Sequence, residues 1–446
     1  MTYAESVEYL LSLIGSIERS NFGLHRMQRL MEQLGRPDRS FRPVHIAGTN
    51  GKGSTAAMVA AALESAGRRT GLSTSPHLIR FNERVRLDGR EIEDADFATD
   101  VSEVRSAAEA VVASDGRSIH ATLFEMMTAA AFCGFRRAAV EWGVVEVGLG
   151  GRLDATNVVS PELTVITPIG RDHERFLGEG ERSVAREKAG ILKAGCPVVV
   201  SEQCPEAMEE IRQRSRELAI QVIEIPSAWR ADETAHTAGR YRFLAVPGAG
   251  VSGSRDAFPV TLGLAGRHQV GNALTAIAAL DRLGVETAAI QQGIAAVNWP
   301  GRLERVPGPP ELLLDAAHNP AGARVLAEFL NQHCAGRAIH LIYGSSSDKP
   351  VEEIAGILFP CVQRVTVTAS RVTRSIQPEE LLRRVGRLHP DVVAAPSMEA
   401  AMERVEREAK PRDLTPQDLA VVAGSIFLVG EAKAILSQLT AMPLGQ

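Results

Sequence analysis

Val44-His45-Ile46-Ala47-Gly48-Thr49-Asn50-Gly51-Lys52-Gly53-Ser54 decides how this chain is read. Val44 to Ala47 is a short apolar run of the kind that forms a buried strand. A glycine-rich turn follows, then an alanine-rich stretch that predicts a helix from about Ser54 to Ser65. Gly48, Gly51 and Gly53 allow backbone amides to approach phosphate oxygens without Cβ clashes. The helix N-terminus adds partial positive charge at the same point, and Lys52 adds a full one. Strand, glycine-rich loop with Lys and Ser, then helix is the architecture of a nucleotide-phosphate cradle. The spacing departs from the common phosphate-loop form, because Ile46 stands five residues before Gly51 and Gly53 separates Lys52 from Ser54.

With 446 residues the chain exceeds one typical core and is expected to divide into two or three domains. Its 45% apolar and 23% charged residues are ordinary for a globular protein. A net charge of −5 gives no basic footprint for nucleic acid, so any anion must be bound by local groups. One local basic run extends from Arg19 to Arg42; a solvated helical face and a site explain it equally well. Cys133, Cys196, Cys204, Cys334 and Cys361 are odd in number and contain no C-x-x-C pair, which argues against a disulfide framework or structural zinc. No apolar leader and no long uncharged apolar run is visible, so a cytoplasmic protein without membrane contact is expected.

Outward from the loop, residues 2–34 read as helical with a break near Gly23, and 94–113, 121–137 and 183–193 as helices. Val144–Val147, Leu163–Thr167 and Pro197–Ser201 read as strands, and alternation of this kind implies a parallel sheet covered on both faces. Residues 226–258 change character, with Arg240–Val246 resembling an antiparallel excursion. A boundary is expected near Asn298-Trp299-Pro300-Gly301. Beyond it, strands at 311–315, 339–343, 364–369, 391–395 and 418–423 alternate with helices at 320–332, 350–358, 377–388 and 398–408. The fold class is therefore α/β: a phosphate-loop ATPase-like domain over 1–297 with a mostly parallel sheet, and a smaller Rossmann-like α/β domain over 298–446.

Candidate chemistry gathers at predicted strand ends, where open α/β sheets bind ligands. Glu146 is a carboxylate among valines and must be paired or metal-bound. Asp172-His173 follows the next strand, and the histidine is equally a structural group or a ligand. Unaided, Lys188 reads as a surface lysine. Asp315 and His318 either belong to a site or cap the turn before Asn319. Phosphate plus a hard divalent cation is the chemistry implied, with Ser54, Ser75 and Glu146 as oxygen donors for Mg²⁺.

At this point the chain resembles the folylpolyglutamate synthase and dihydrofolate synthase family of the Mur ligase superfamily. The resemblance rests on an ordered set of motifs: His45–Ser54, Thr74-Ser-Pro-His-Leu78 with Glu83-Arg84-Val85, Thr122-Leu-Phe-Glu125, Glu146–Asn157, Ile169–His173 and Glu187-Lys-Ala-Gly-Ile191. It continues through Gly266-Arg-His-Gln269 with Asn272, Trp299-Pro-Gly-Arg302, Asp315–Pro320, Asp348-Lys349 and Gly424–Gly430. It implies an ATP-dependent amide ligase that joins L-glutamate to dihydropteroate or a reduced folate. By the same resemblance Asn50, Gly51, Lys52, Gly53 and Ser54 would hold the ATP phosphates. Asn272, Arg302, Asp315 and His318 would complete the nucleotide site. Ser75, Glu146, His173 and a carbamylated Lys188 match magnesium-ligand positions, and Lys52, His173 and Lys188 are the catalytic candidates. Thr122, Phe124, Glu125, Arg152, Leu153 and Asp154 match positions lining a pterin and pteroate pocket, and Phe22–Arg26 resembles a folate-contacting loop. The departures are Ala316 for a common glycine, Pro350 for an acidic residue, His25 for a frequent glutamate and Arg171 for an apolar residue. The alternatives are a Mur-type ligase acting on cell-wall precursors and a phosphate-loop switch that ligates nothing. A monomer with small-molecule partners only is expected.

Overall fold

The computed structural model describes residues 1–14, 23–115, 121–248, 255–408 and 418–437. Arg19 of the basic run and Phe22 of the folate-like loop lie outside these residues. Among the described residues the first sheet has eight strands. Their spatial order is Arg90–Glu91, Val85–Leu87, Thr70–Ser73, Trp142–Glu146, Arg42–Ala47, Leu163–Ile166, Val198–Val200 and Val222–Glu224. Every neighbouring pair from Thr70–Ser73 onward is parallel, and the two edge pairings are antiparallel. The Arg42–Ala47 strand lies in the middle of the parallel part, so the loop that leaves it opens beyond the carboxyl ends of its neighbours.

The Lys52–Ser65 helix follows at once. Its Ala-rich sequence has little amphipathic character, because Ala56, Met58, Val59, Ala62 and Leu63 are buried together in the largest core cluster. The His268–Arg282 helix packs on it, and the Thr287–Ala296 helix does too. A second sheet, of three antiparallel strands (Trp229–Thr237, Arg240–Pro247 and Phe258–Ala265), joins the same core through Trp229, Phe243 and Phe258. It is larger than the excursion expected at Arg240–Val246.

The third sheet is ordered Glu304–Val306, Glu311–Leu314, Leu419–Ala423, Ile339–Tyr343, Arg364–Val367 and Val392–Ala394, parallel except at its first edge. The loop 74–80 of the first half reaches into this half: Leu78 and Ile79 are buried with Leu314, Ile342, Leu428 and Val429.

Three expectations needed correction. The 183–193 helix runs instead from Gly180 to Ala189 and then turns, because Lys193 reaches back to donate to the Asn157 carbonyl at 2.8 Å. The helix expected from 121 starts at Leu123, because Thr122 caps it: its hydroxyl accepts from the Glu125 amide and the Glu125 carboxylate accepts from the Thr122 amide. The helix expected at 377–388 is α-helical only over Pro378–Val385 and closes as a 3₁₀ turn over Gly386–Leu388.

Candidate active site

A cavity of about 360 Å³ opens at the strand ends between the two large sheets. One wall is the glycine-rich loop. Gly51 sits at φ +84°, and a Cβ there would lie 2.4 Å from Asn272 Oδ1, so a side chain is excluded on both counts. Thr49 and Asn50 donate their amides to the Pro168 carbonyl at 2.9 and 3.2 Å, which pins the loop to the next strand end. The first helical hydrogen bond is Thr55 N to Gly51 O at 2.9 Å. The amides of Lys52, Gly53 and Ser54 therefore have no acceptor within the helix, and these residues line the cavity. Lys52 Nζ rests 3.2 Å from the Thr49 carbonyl, and Gln269 Nε2 donates to Ser54 Oγ at 3.3 Å.

The opposite wall comes from the C-terminal half. Asp315 is buried and accepts from the amides of Leu303 and Ala317, both at 2.9 Å. Burial pushes its carboxyl up, against the pull of the Arg302 guanidinium. His318 lies 3.5 Å from Asp172, and Asn319 donates to Asn50 Oδ1 at 3.0 Å, joining the two walls. Asp172 is the hub of this seam. Lys349 Nζ donates to it at 2.6 Å, with both side chains more than nine-tenths buried. Burial alone would raise the Asp172 carboxyl, but the hydrogen bond and charge of His318 and the charge of Lys349 hold it well below the usual carboxylate range.

Glu146, Ser75, His173 and Lys188 all line the same cavity. The Ser75 amide donates to Glu146 Oε2 at 3.1 Å. Burial raises the Glu146 carboxyl, and Lys52 and the Ser75 amide oppose the rise. His173 adopts φ +53°, a conformation costing a residue with a Cβ about 1 kcal/mol, and its amide donates to Asp172 Oδ1 at 2.9 Å. Burial and Lys349 lower its imidazole to about 4, so it is neutral near pH 7 and able to act as a ligand. Lys188 is buried rather than exposed, which overturns its unaided reading as a surface lysine. Its Nζ donates to the Gly48 carbonyl at 2.6 Å, and burial together with the Lys52 charge brings it down to about 7.

This donor set suits a hard cation, because a buried carboxylate with one protein partner, a hydroxyl and a neutral imidazole face one cavity. Among the described residues the one group of three acidic, histidine or cysteine ligand atoms within 4.8 Å is Glu181, Cys204 and Glu206, outside the cavity. The cavity residues thus offer a few ligands around open space, the arrangement Mg²⁺ tolerates because it retains waters.

Four cations, Lys52, Arg302, Lys349 and Arg374, together with the partly protonated Lys188, face three carboxylates, Glu146, Asp172 and Asp315, on this lining. A chain of net charge −5 therefore presents a locally cationic cleft. The six residues matched to a pteroate pocket do not line it. Glu125 also pairs with Arg26 at 3.1 Å, Arg152 pairs with Glu187 at 2.9 Å, and Asp154 accepts from the Leu149 amide at 2.8 Å. Phe124 packs over Gly148, and Leu153 is half-buried in the same turn. They form a neighbouring cluster whose polar groups have structural partners. Sequence reasoning gave no role to Lys349, Arg374 or the Ser425–Phe427 segment, all on the lining. It took Asn319, which joins the walls without lining the cavity, as a helix cap, and its Oδ1 does accept from the Gly322 amide at 2.8 Å. The Asp348-Lys349 and Gly424–Gly430 motifs were the signals for Lys349 and Ser425–Phe427; Arg374 offered none.

The Mur ligase middle domain model matches residues 46–280, and the Mur ligase glutamate ligase domain model matches residues 301–426. The chain is 35% identical to the dihydrofolate synthase/folylpolyglutamate synthase of Mycobacterium tuberculosis, across 97% of this chain and 93% of that protein. It is 31% identical to the folylpolyglutamate synthase of Lacticaseibacillus casei, across 98% and 99% of the two chains. Among solved structures, M. tuberculosis folylpolyglutamate synthase complexed with ADP superimposes with a TM-score of 0.90 at 33% identity, covering 98% of this chain and 100% of that one. Escherichia coli FolC in complex with DHPP and ADP superimposes at 0.84 and 29% identity, covering 98% of each chain.

Proposed function

We propose, for a chain that belongs to the folylpolyglutamate synthase and dihydrofolate synthase family of ATP-dependent ligases, that it joins L-glutamate to both dihydropteroate and a reduced folate, releasing ADP and phosphate. One observation carries the ligase reading: a single cationic cleft is walled by the phosphate loop on one side and by Arg302, Asp315 and His318 on the other. Dual acceptor use is supported by relatives whose names carry both activities, those of M. tuberculosis and Bacillus subtilis.

A carboxylate resists attack by an amine. The acceptor carboxylate oxygen therefore attacks the γ-phosphorus of ATP, and ADP departs. The amine of glutamate, having lost a proton, then attacks the acyl carbon of the acyl phosphate, and phosphate leaves. Lys52 and the first-turn amides of its helix hold the phosphates, and Asn50 and Asn272 shape the loop around them. Arg302 meets the nucleotide from the other half and neutralises charge that develops in transfer. Asp315 fixes the strand end beside it by holding the Leu303 and Ala317 amides. Mg²⁺ bound by Ser75, Glu146, His173 and Lys188 would neutralise phosphate charge. A lysine amine near pKa 7 in a buried cationic site is poised to react with CO₂, and the carbamate formed at Lys188 supplies anionic oxygen suited to that cation. Residues 1–297 and 298–446 act as two halves whose closure keeps water from the acyl phosphate. The cluster of Thr122, Phe124, Glu125, Arg152, Leu153 and Asp154 receives the pterin end of the acceptor. No helix among the described residues is long and apolar enough to cross a membrane, and a cytosolic monomer fits the reading.

The test is ADP release with dihydropteroate or tetrahydrofolate, each with and without L-glutamate. Glutamate-dependent release with both acceptors is expected. Release with one acceptor alone restricts the reaction to it, and release that ignores glutamate refutes ligation.

A further inference from the structure

We propose that Trp299 is a positioning residue: its indole ties the segment between the two halves to the phosphate loop, so that the placement of Arg302 follows the state of that loop. The proposal rests on the reading of Arg302 as a nucleotide contact. Trp299 stands where the chain leaves the first half, after the Thr287–Ala296 helix, and three residues before Arg302. Its ring lies against Gly53, whose missing Cβ leaves space for it. A Cβ at Gly53 would sit 3.1 Å from Trp299 Nε1 and 3.4 Å from Cε2 and Cζ2, tighter than side chains normally pack. The Arg86 guanidinium stands over the ring, 4.9 Å from its centroid, an attraction of the cation–π kind. Arg86 pairs in register with Leu72, on the strand that runs through Ser73 to Ser75. The indole thus touches both the phosphate loop and the strand pair that delivers Ser75.

The far end of this strap is also fastened. The Gly301 amide donates to Glu304 at 2.8 Å, and the Gly301 carbonyl accepts from the Ala316 amide at 2.9 Å and from Arg302 at 3.0 Å. Three residues span at most about 11 Å, so the strap has little slack. Movement of Gly53 when phosphate binds must move the indole, and through it the backbone that aims Arg302. Trp142 and Trp229 are each 1% exposed in the core, whereas Trp299 is only half-buried, so Trp299 is the indole placed to sense nucleotide.

The experiment uses the full chain with ADP as probe. Tryptophan emission is followed on ADP addition to the unaltered protein and to Trp299→Phe. Turnover is then compared for Trp299→Phe, Trp299→Ala, Arg302→Gln and the Trp299→Ala/Arg302→Gln pair. An ADP-dependent emission change that Trp299→Phe abolishes is expected. Trp299→Phe should keep turnover within about threefold, Trp299→Ala should lose about tenfold or more, and the same change should add less than about threefold in the Arg302→Gln background, because contacting or coupled residues are non-additive. No emission change, or a Trp299→Ala loss that is equal in both backgrounds, overturns the proposal; the fluorescence arm stands even if the alanine variant does not fold. Unaltered turnover in Arg302→Gln would instead refute the reading of Arg302, and with it the route through which Trp299 acts.

Discussion

At Lys52 the structure separates catalytic from structural work. The side chain projects into the cavity, and among the described residues its hydrogen-bond acceptor is the Thr49 carbonyl. Glu146, whose charge it also favours, keeps the Ser75 amide and Arg302 when it is removed. Lys52→Ala should keep the native circular dichroism spectrum and lose about 3–4 kcal/mol of transition-state stabilisation, read as kcat. Lys188 is the contrasting lysine. CO₂ reacts with the neutral amine, and with a pKa of about 7 that form grows from a minority to a majority between about pH 6 and 8. Carbon-13 NMR with labelled bicarbonate should show a carbamate signal that rises through this window and is absent in Lys188→Ala. A Lys188 that stays unmodified at pH 8 would remove the carbamate from the mechanism. The sequence made the phosphate loop legible because three glycines within six residues have a direct conformational meaning. It did not make Lys188 or the Asp172–Lys349 pair legible from the residues alone. Burial and a partner 177 positions away are properties of the folded chain.

Among elements, the Ile426–Leu436 helix shows what local pattern could not give. It is apolar on most sides and buried, so no stripe marks it, and only its Gly424–Gly430 motif stood out in the sequence. Its packing explains the glycine inside it. A Cβ at Gly430 would lie 2.1 Å from the Leu78 carbonyl, on the loop that also carries Ser75. In an isolated helix Gly→Ala would gain about 1 kcal/mol. Here the neighbour is backbone and cannot yield cheaply, so overpacking of about 1–3 kcal/mol prevails. Gly430→Ala should lower the urea midpoint and reduce turnover together, because the clash displaces the loop between the halves. A stabilised, fully active Gly430→Ala would mean that this contact is not held during turnover. By contrast, the third sheet was largely legible, since parallel strands write themselves as short apolar runs separated by helical periods. In the first sheet the short strands Thr70–Ser73, Val85–Leu87, Arg90–Glu91 and Val222–Glu224 carried too little pattern to be read.

For the whole molecule, burial of histidines sets the acid limit. His45 is held to about 3 by burial and by Lys193, with Nε2 2.9 Å from Thr156 Oγ1 and Nδ1 without a partner. His340 is held to about 4, chiefly by burial. Both folded values lie below the ordinary 6.5, so the unfolded chain binds more protons across the gap. Stability from these two groups is complete above about pH 6.5 and declines as pH falls toward 4, each group accounting for on the order of 3 kcal/mol when fully developed. Urea midpoints measured from pH 7 to 4 should fall, and His340→Gln should flatten the slope. What no local pattern announced was the cleft itself. It needs the C-terminal half to bring Asp315, His318 and Lys349 across to a loop some 270 residues earlier in the chain, as the Asn319–Asn50 bond does. The resemblance to a family carried that information, and the two-walled cavity gives it a physical form.

Ligation of glutamate is the claim on which these readings depend, and its product can be weighed. Mass spectrometry of a reaction containing the full chain, ATP, Mg²⁺, L-glutamate and either dihydropteroate or tetrahydrofolate should show each acceptor carrying one added glutamyl residue, with ADP formed in equal amount. ADP formed without any glutamyl product, from either acceptor, would contradict it.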